Sequence, residues 1–147
     1  MAKGYKFSLQ KVLELRAEKE EESKRLFSQS QNKKIQTENE LTSMREQYEN
    51  YKGIKPGEDV IYQKIKRRYL FALQGGIKEK EKELAARERE LEVRRRDLKN
   101  KQIDRKTVET LRDKQYANFV KEQEMIEQKN LDEFALYAYM RTLKGGE

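Results

Sequence analysis

The sequence contains neither cysteine nor histidine. Without cysteine there can be no disulfide and no thiolate metal site. Without histidine the usual general base and the commonest metal ligand are missing. Nucleophilic and metal-assisted catalysis are left with almost no parts, so the expectation is a protein that is not an enzyme, holds no cofactor and binds no metal. No apolar run approaches the roughly 18 residues needed to span a bilayer. The N-terminal residues lack the apolar region of a signal peptide, and a cytosolic location is expected. Proline occurs once and glycine seven times, with six of the glycines at 53 and 57, 75–76 and 145–146. Breakers confined to such places act as punctuation between long elements.

What remains is charge. Of the 147 residues, 41% are charged and 35% hydrophobic, too polar a mixture to wrap a two-layer core. A disordered chain and a long-helix chain both have this composition. The grouped breakers favour long helices. The net charge of +7 permits an acidic partner, a membrane surface or nucleic acid without selecting one.

The stretch 52–58, KGIKPGE, is the strongest break. It predicts an all-α fold, a single coiled-coil domain over 1–147: a helix over 8–52, a hinge at 53–58 and a longer helix over 59–143. Ser8 is expected as the N-cap, with Phe7 and Val12 at the positions of a hydrophobic staple. Gly53 is placed to end the first helix in a left-handed cap. Glu58 and Asp59 suit the start of the second. Adjacent helices joined by a short connection run antiparallel. The pair Gly75-Gly76 leaves three readings open: a kink or local break, close backbone approach across the hairpin, or a true turn giving three helices.

Apolar periodicity sets the seam. In the first helix one row is Leu13, Glu20, Phe27, Lys34, Leu41 and Tyr48, and the other is Leu9, Arg16, Ser23, Ser30, Thr37, Met44 and Tyr51. In the second, Ile77, Leu84, Leu91 and Leu98 repeat at seven, the spacing of a left-handed coiled coil. The alternate row there is charged, through Lys80 or Glu81 and Arg87 or Glu88. Folding about residue 55 is expected to pack Leu41, Met44, Tyr48 and Tyr51 against Ile61, Ile65, Tyr69, Ala72 and Leu73. From about Asp104 onward the second helix is expected to overhang without a partner for roughly 55–60 Å. It carries many apolar side chains there, which imply another copy or another protein.

A two-helix hairpin has no concave interior for catalysis. The glycine pair lacks the Gly-Lys-Ser/Thr ending of a phosphate loop. Lys66-Arg67-Arg68 and Arg94-Arg95-Arg96 are basic, but acids interleave with them, so no specific nucleic-acid site is expected. The C-terminal EFALYAYMRTLK has too few bases for strong lipid binding and reads as a protein-docking face. Two other functions remain in view: a structural coiled coil dimerising through 110–143, and a weak nucleic-acid-binding accessory protein.

Four features, taken in order, resemble the flagellar FliJ family of type III export proteins. They are the opening Phe7-Ser8-Leu9-Gln10-Lys11-Val12-Leu13-Glu14-Leu15-Arg16, the word Asp104-Arg105-Lys106-Thr107-Val108-Glu109, the stretch Glu127-Gln128-Lys129-Asn130-Leu131-Asp132-Glu133, and the size with its hinge a third of the way along. The resemblance implies a soluble component of the flagellar export apparatus, cytoplasmic and peripherally associated with the inner membrane. It implies an antiparallel coiled coil similar to the central stalk of rotary ATPases. Such a stalk would promote the hexameric export ATPase, bind the cytoplasmic domain of the export-gate membrane protein, and serve export chaperones. By position, Phe7, Leu9, Asp104, Arg105 and Glu109 would meet the ATPase. The alternative is that Asp104 and Arg105 simply pair with Lys11 or Glu14. Thr37, Leu41, Met44, Tyr48, Tyr69, Leu73, Gly76 and Lys80 would meet the gate, although the same row is also the best candidate for the hairpin's core.

Overall fold

The computed structural model describes residues 4–145. They form two helices, α1 (Gln10–Tyr51) and α2 (Val60–Lys144), the second twice as long as the first. The fold is an all-α antiparallel hairpin with a longer second helix. No helix among the described residues is long and apolar enough to cross a membrane.

The helix ends follow local chemistry. The first α1 bond runs from the Leu13 amide to the Leu9 carbonyl, so the helix starts slightly later than a Ser8 cap would place it. The staple is not formed as expected: Phe7 is buried with Leu13 and Val108, while Val12 faces solvent. Gly53 follows the end of α1 with φ 86°, the left-handed conformation that lets a helix terminate without a Cβ clash. Gly57, after Pro56, has the same φ, as the third position of a type II turn requires. The Asp59 carbonyl accepts the first α2 bond, from Gln63 at 2.9 Å.

The chain divides into two compact units, 19–102 and a second made of 1–18 with 103–147. In the first, α1 turns through the loop into α2 as an antiparallel pair. Every buried residue of α2 in this unit lies on one of two seven-spaced rows, Lys66, Leu73, Lys80, Arg87 and Arg94, and Leu70, Ile77, Leu84, Leu91 and Leu98, and a flanking row of Gly76, Glu83, Glu90 and Asp97 is half-buried. On α1 the buried members are Glu20, Ser23, Ser30, Thr37 and Leu41. The seam therefore has apolar residues at intervals and polar ones between. Ser23 donates to Asp97 at 3.0 Å, and Thr37 returns its hydroxyl proton to the Lys33 carbonyl. The charged row is satisfied by neighbours: Lys66 reaches Glu58, Lys80 reaches Glu40 and Glu83, and Arg87 lies between Glu83 and Glu90. Arg95 covers the Phe27 ring at 5.9 Å.

The hinge-side packing corrects the expectation. Leu41 and Leu73 are buried, but Ile61 and Ile65 are 67% and 61% exposed and Ala72 also faces outward, whereas Tyr69, though exposed, meets Tyr51 on the other helix as expected. Continuing the α2 rows backward from Ile77 and Leu73 gives Leu70 and Lys66, so 61, 65 and 72 fall off the seam, and 69 sits at its edge. Lys66 can occupy a core position because Glu58, from the loop, meets it at 2.9 Å.

The helix runs unbroken through Gly75-Gly76. That continuity removes the local break and the true turn, and what crowds Gly76 is the side chain of Met44 rather than the opposing backbone. A Cβ on Gly76 would lie 2.7 Å from the Met44 terminal methyl, whereas one on Gly75 would meet nothing within 4 Å. Gly75→Ala is therefore expected to raise stability by about 1 kcal/mol in urea titrations. Gly76→Ala is expected to gain less, because Met44 must swing away.

Candidate interaction surfaces

The second unit contains the free ends. The segment before α1 does not stop at the helix cap but lies along α2. The Tyr5 hydroxyl donates to the Arg112 carbonyl at 3.3 Å. The Tyr5 ring meets Tyr116 edge-on at 5.2 Å and Phe119 at 5.4 Å. Phe7, Leu13 and Val108 form a small buried cluster, with Val108 only 5% exposed. The apolar residues from Val108 to Phe119 are thus partly covered by the chain itself. The overhang does not begin at Asp104, as the sequence suggested. Exposure becomes continuous only from 121 to 145, an arm of about 36 Å. Sequence reasoning missed Tyr5. The available signal was an aromatic two residues before Phe7, upstream of a helix whose partner carries unmatched aromatics.

Within this unit the QIDRKTVE stretch is well defined. Arg105 forms an ion pair with Glu109 one turn on, an arrangement that orients its guanidinium along α2. Arg16 donates to the Asp104 backbone carbonyl at 2.7 Å. The Asp104 side chain is exposed, Leu9 is at the surface, and Phe7 is buried. Of the five residues the sequence reading placed at an ATPase contact, four present surface and Phe7 is buried with Leu13 and Val108. The arm beyond carries Met125, Ile126, Leu131, Phe134, Leu136, Tyr137, Tyr139, Met140 and Leu143, all exposed and Phe134 at 73%.

The hinge unit holds the second predicted group. Thr37, Leu41 and Leu73 are buried in the seam, while Met44, Tyr48, Gly76 and Lys80 are half-buried at its edge. Tyr69 is exposed, donates to Gln47 at 3.3 Å and meets Tyr51 edge-on at 5.7 Å. Gln74 donates to the Tyr48 hydroxyl at 2.8 Å. Most of this row therefore holds the two helices together. Nearby, a groove of about 550 Å³ is lined by Ile54, Val60 and Phe71 with Lys64 and Arg67.

Charge pairs at the hinge side shift titrations. The hydrogen bond from Lys66 holds the Glu58 carboxyl below the usual glutamate range. The hydrogen bond from Lys80 does the same for Glu40, and the Lys80 ammonium is raised by its bonds to Glu40 and Glu83. A depressed carboxylate stabilises the fold above its unfolded pKa of about 4.3, and this contribution fades as pH falls through the lower folded value. Melting temperature should therefore drop on acidification below about pH 4. Glu58→Gln should reduce that drop, as circular dichroism melts at both pH values can measure.

The model of the flagellar FliJ protein family matches residues 5–144, nearly the whole chain. No curated protein and no solved structure gives a match. The match spans the N-terminal segment, the hinge, the QIDRKTVE stretch and the arm, and it accords with the two-helix architecture. The chain belongs to the flagellar FliJ family and is a component of the flagellar export apparatus.

Proposed function

We propose that this chain is a non-catalytic stalk of the export apparatus. It promotes assembly and activity of the hexameric export ATPase, couples it to the cytoplasmic domain of the export gate, and serves export chaperones. Its place is the cytoplasm, held at the inner membrane through the apparatus. The observation that carries the reading is the arm over 121–144. An isolated helix with nine exposed large apolar side chains gains by entering a partner's surface. No bond chemistry is needed: a stalk that binds the assembled ring better than free subunits shifts assembly by mass action.

In this reading Leu9, Asp104, Arg105 and Glu109 meet the ring, positioned by Phe7. At the other site Tyr69, Met44, Tyr48 and Lys80 offer the contact surface to the gate, and Thr37, Leu41, Leu73 and Gly76 shape it from within. The test is to mix the protein with purified export ATPase and follow hydrolysis and oligomerisation. No change in either removes the stalk reading. Arg105→Ala should leave helicity intact while raising the concentration for half-maximal stimulation roughly tenfold, the loss of about 1.4 kcal/mol of contact. Undiminished stimulation would move the ring contact away from QIDRKTVE.

A further inference from the structure

We propose that the arm over 122–144 pairs with the same segment of a second copy, antiparallel and in a fixed register. The argument begins with charge. From 122 to 133 the arm carries five acids, Glu122, Glu124, Glu127, Asp132 and Glu133, against one base, Lys129. From 134 to 144 it carries no acid and two bases, Arg141 and Lys144. Among the described residues no ion pair engages Glu122, Glu124, Glu127, Glu133, Arg141 or Lys144. Over 122–144 each arm is thus acidic toward its root and basic toward Lys144, with these six charges making no ion pair among the described residues.

The apolar pattern is compatible with the same pairing. At about 100° per residue, Ile126, Phe134, Tyr137 and Met140 lie within an arc of about 120°. All four are exposed. An antiparallel alignment that sets Ile126 against Tyr137 also sets Arg141 against Glu122, since the positions run in opposite directions. Lys144 then lies one turn from the same acid. A two-fold axis makes every such contact twice and closes the assembly at two copies. The parallel alternative lays five acids over five acids and the bases over the bases, which is repulsive along the whole seam. A second copy is therefore the occupant that the arm's own charge sequence complements. The pairing uses the same arm that the stalk reading gives to the ATPase, so a chain can do only one of the two at a time; no export component enters its test, and its failure leaves the stalk reading standing.

Sedimentation equilibrium on the full chain at micromolar concentrations should show a monomer–dimer equilibrium that weakens with added salt. Arg141→Glu should weaken dimerisation roughly tenfold, the symmetric contact being lost twice. Adding Glu122→Arg to that variant should restore most of the affinity, because the swapped charges again face each other. Circular dichroism confirms that helicity is retained, both positions being exposed. A chain that stays monomeric overturns the proposal. So does a dimer that ignores Arg141→Glu, or one in which the second substitution fails to rescue the first.

Discussion

Leu41→Asp unfolds the hinge-side hairpin. Leu41 is 3% exposed in a seam with few other apolar residues to share its work. Truncating a buried leucine costs about 2–5 kcal/mol, and installing a carboxylate adds the cost of an unpaired charge. Against total stabilities of about 5–15 kcal/mol, most of the margin disappears. Thermal melts by circular dichroism should lose their cooperative transition or shift strongly downward. Ile65→Asp is the control. Both residues read as hairpin core from the sequence, yet Ile65 faces solvent, and its substitution should change stability by no more than about 0.5 kcal/mol. Equal effects at the two positions would mean that the seam runs in another register.

If the chain is the proposed stalk, removal of 121–147 is expected to abolish its stimulation of the export ATPase while sparing the rest of the fold. Every described residue in that segment is exposed, so little folded-state contact is lost. The cluster of Phe7, Leu13 and Val108 and the Tyr5 contacts with Tyr116 and Phe119 all lie before the cut. The melting curve should therefore resemble that of the full chain, whereas hydrolysis by the ATPase should stay at its unstimulated rate. Persistent stimulation would assign the contact to the QIDRKTVE region alone.

The two predictions divide what was legible in the sequence from what was not. Seven-residue spacing located Leu41 and the row Ile77, Leu84, Leu91, Leu98, because a helix pair exposes its seam as periodicity. It also showed that the alternate row is charged, leaving Lys80 or Glu81 and Arg87 or Glu88 open, and the structure places Lys80 and Arg87 there. It failed where nearness to the loop and apolar character were used in place of period: Ile61, Ile65 and Ala72 are off the rows and exposed, and the polar Lys66 is on them. No single-residue rule reveals that a lysine sits inside; the Glu58 partner comes from a loop, outside any repeat. The length of the overhang was overestimated for a related reason. Tyr5 lies before the helix, where periodicity carries no information, and its ring contacts depend on the path of irregular backbone. Continuity at Gly75-Gly76 was undecidable from composition, since the space beside Gly76 is filled by Met44 from the other helix.

The small hydroxyl residues of the α1 row have a further effect on alignment. Ser23, Ser30 and Thr37 follow one another at a heptad's distance and differ little in size. Shifting one helix by seven positions would replace each with a near-equivalent, so the middle of this zipper has interchangeable teeth. Correct alignment then depends on the sparse aliphatic knots such as Leu41 and Leu73. A lesion at one of them would release mispaired forms as well as loosen the native one, and these should appear in NMR spectra as doubled or broadened amide signals along α1.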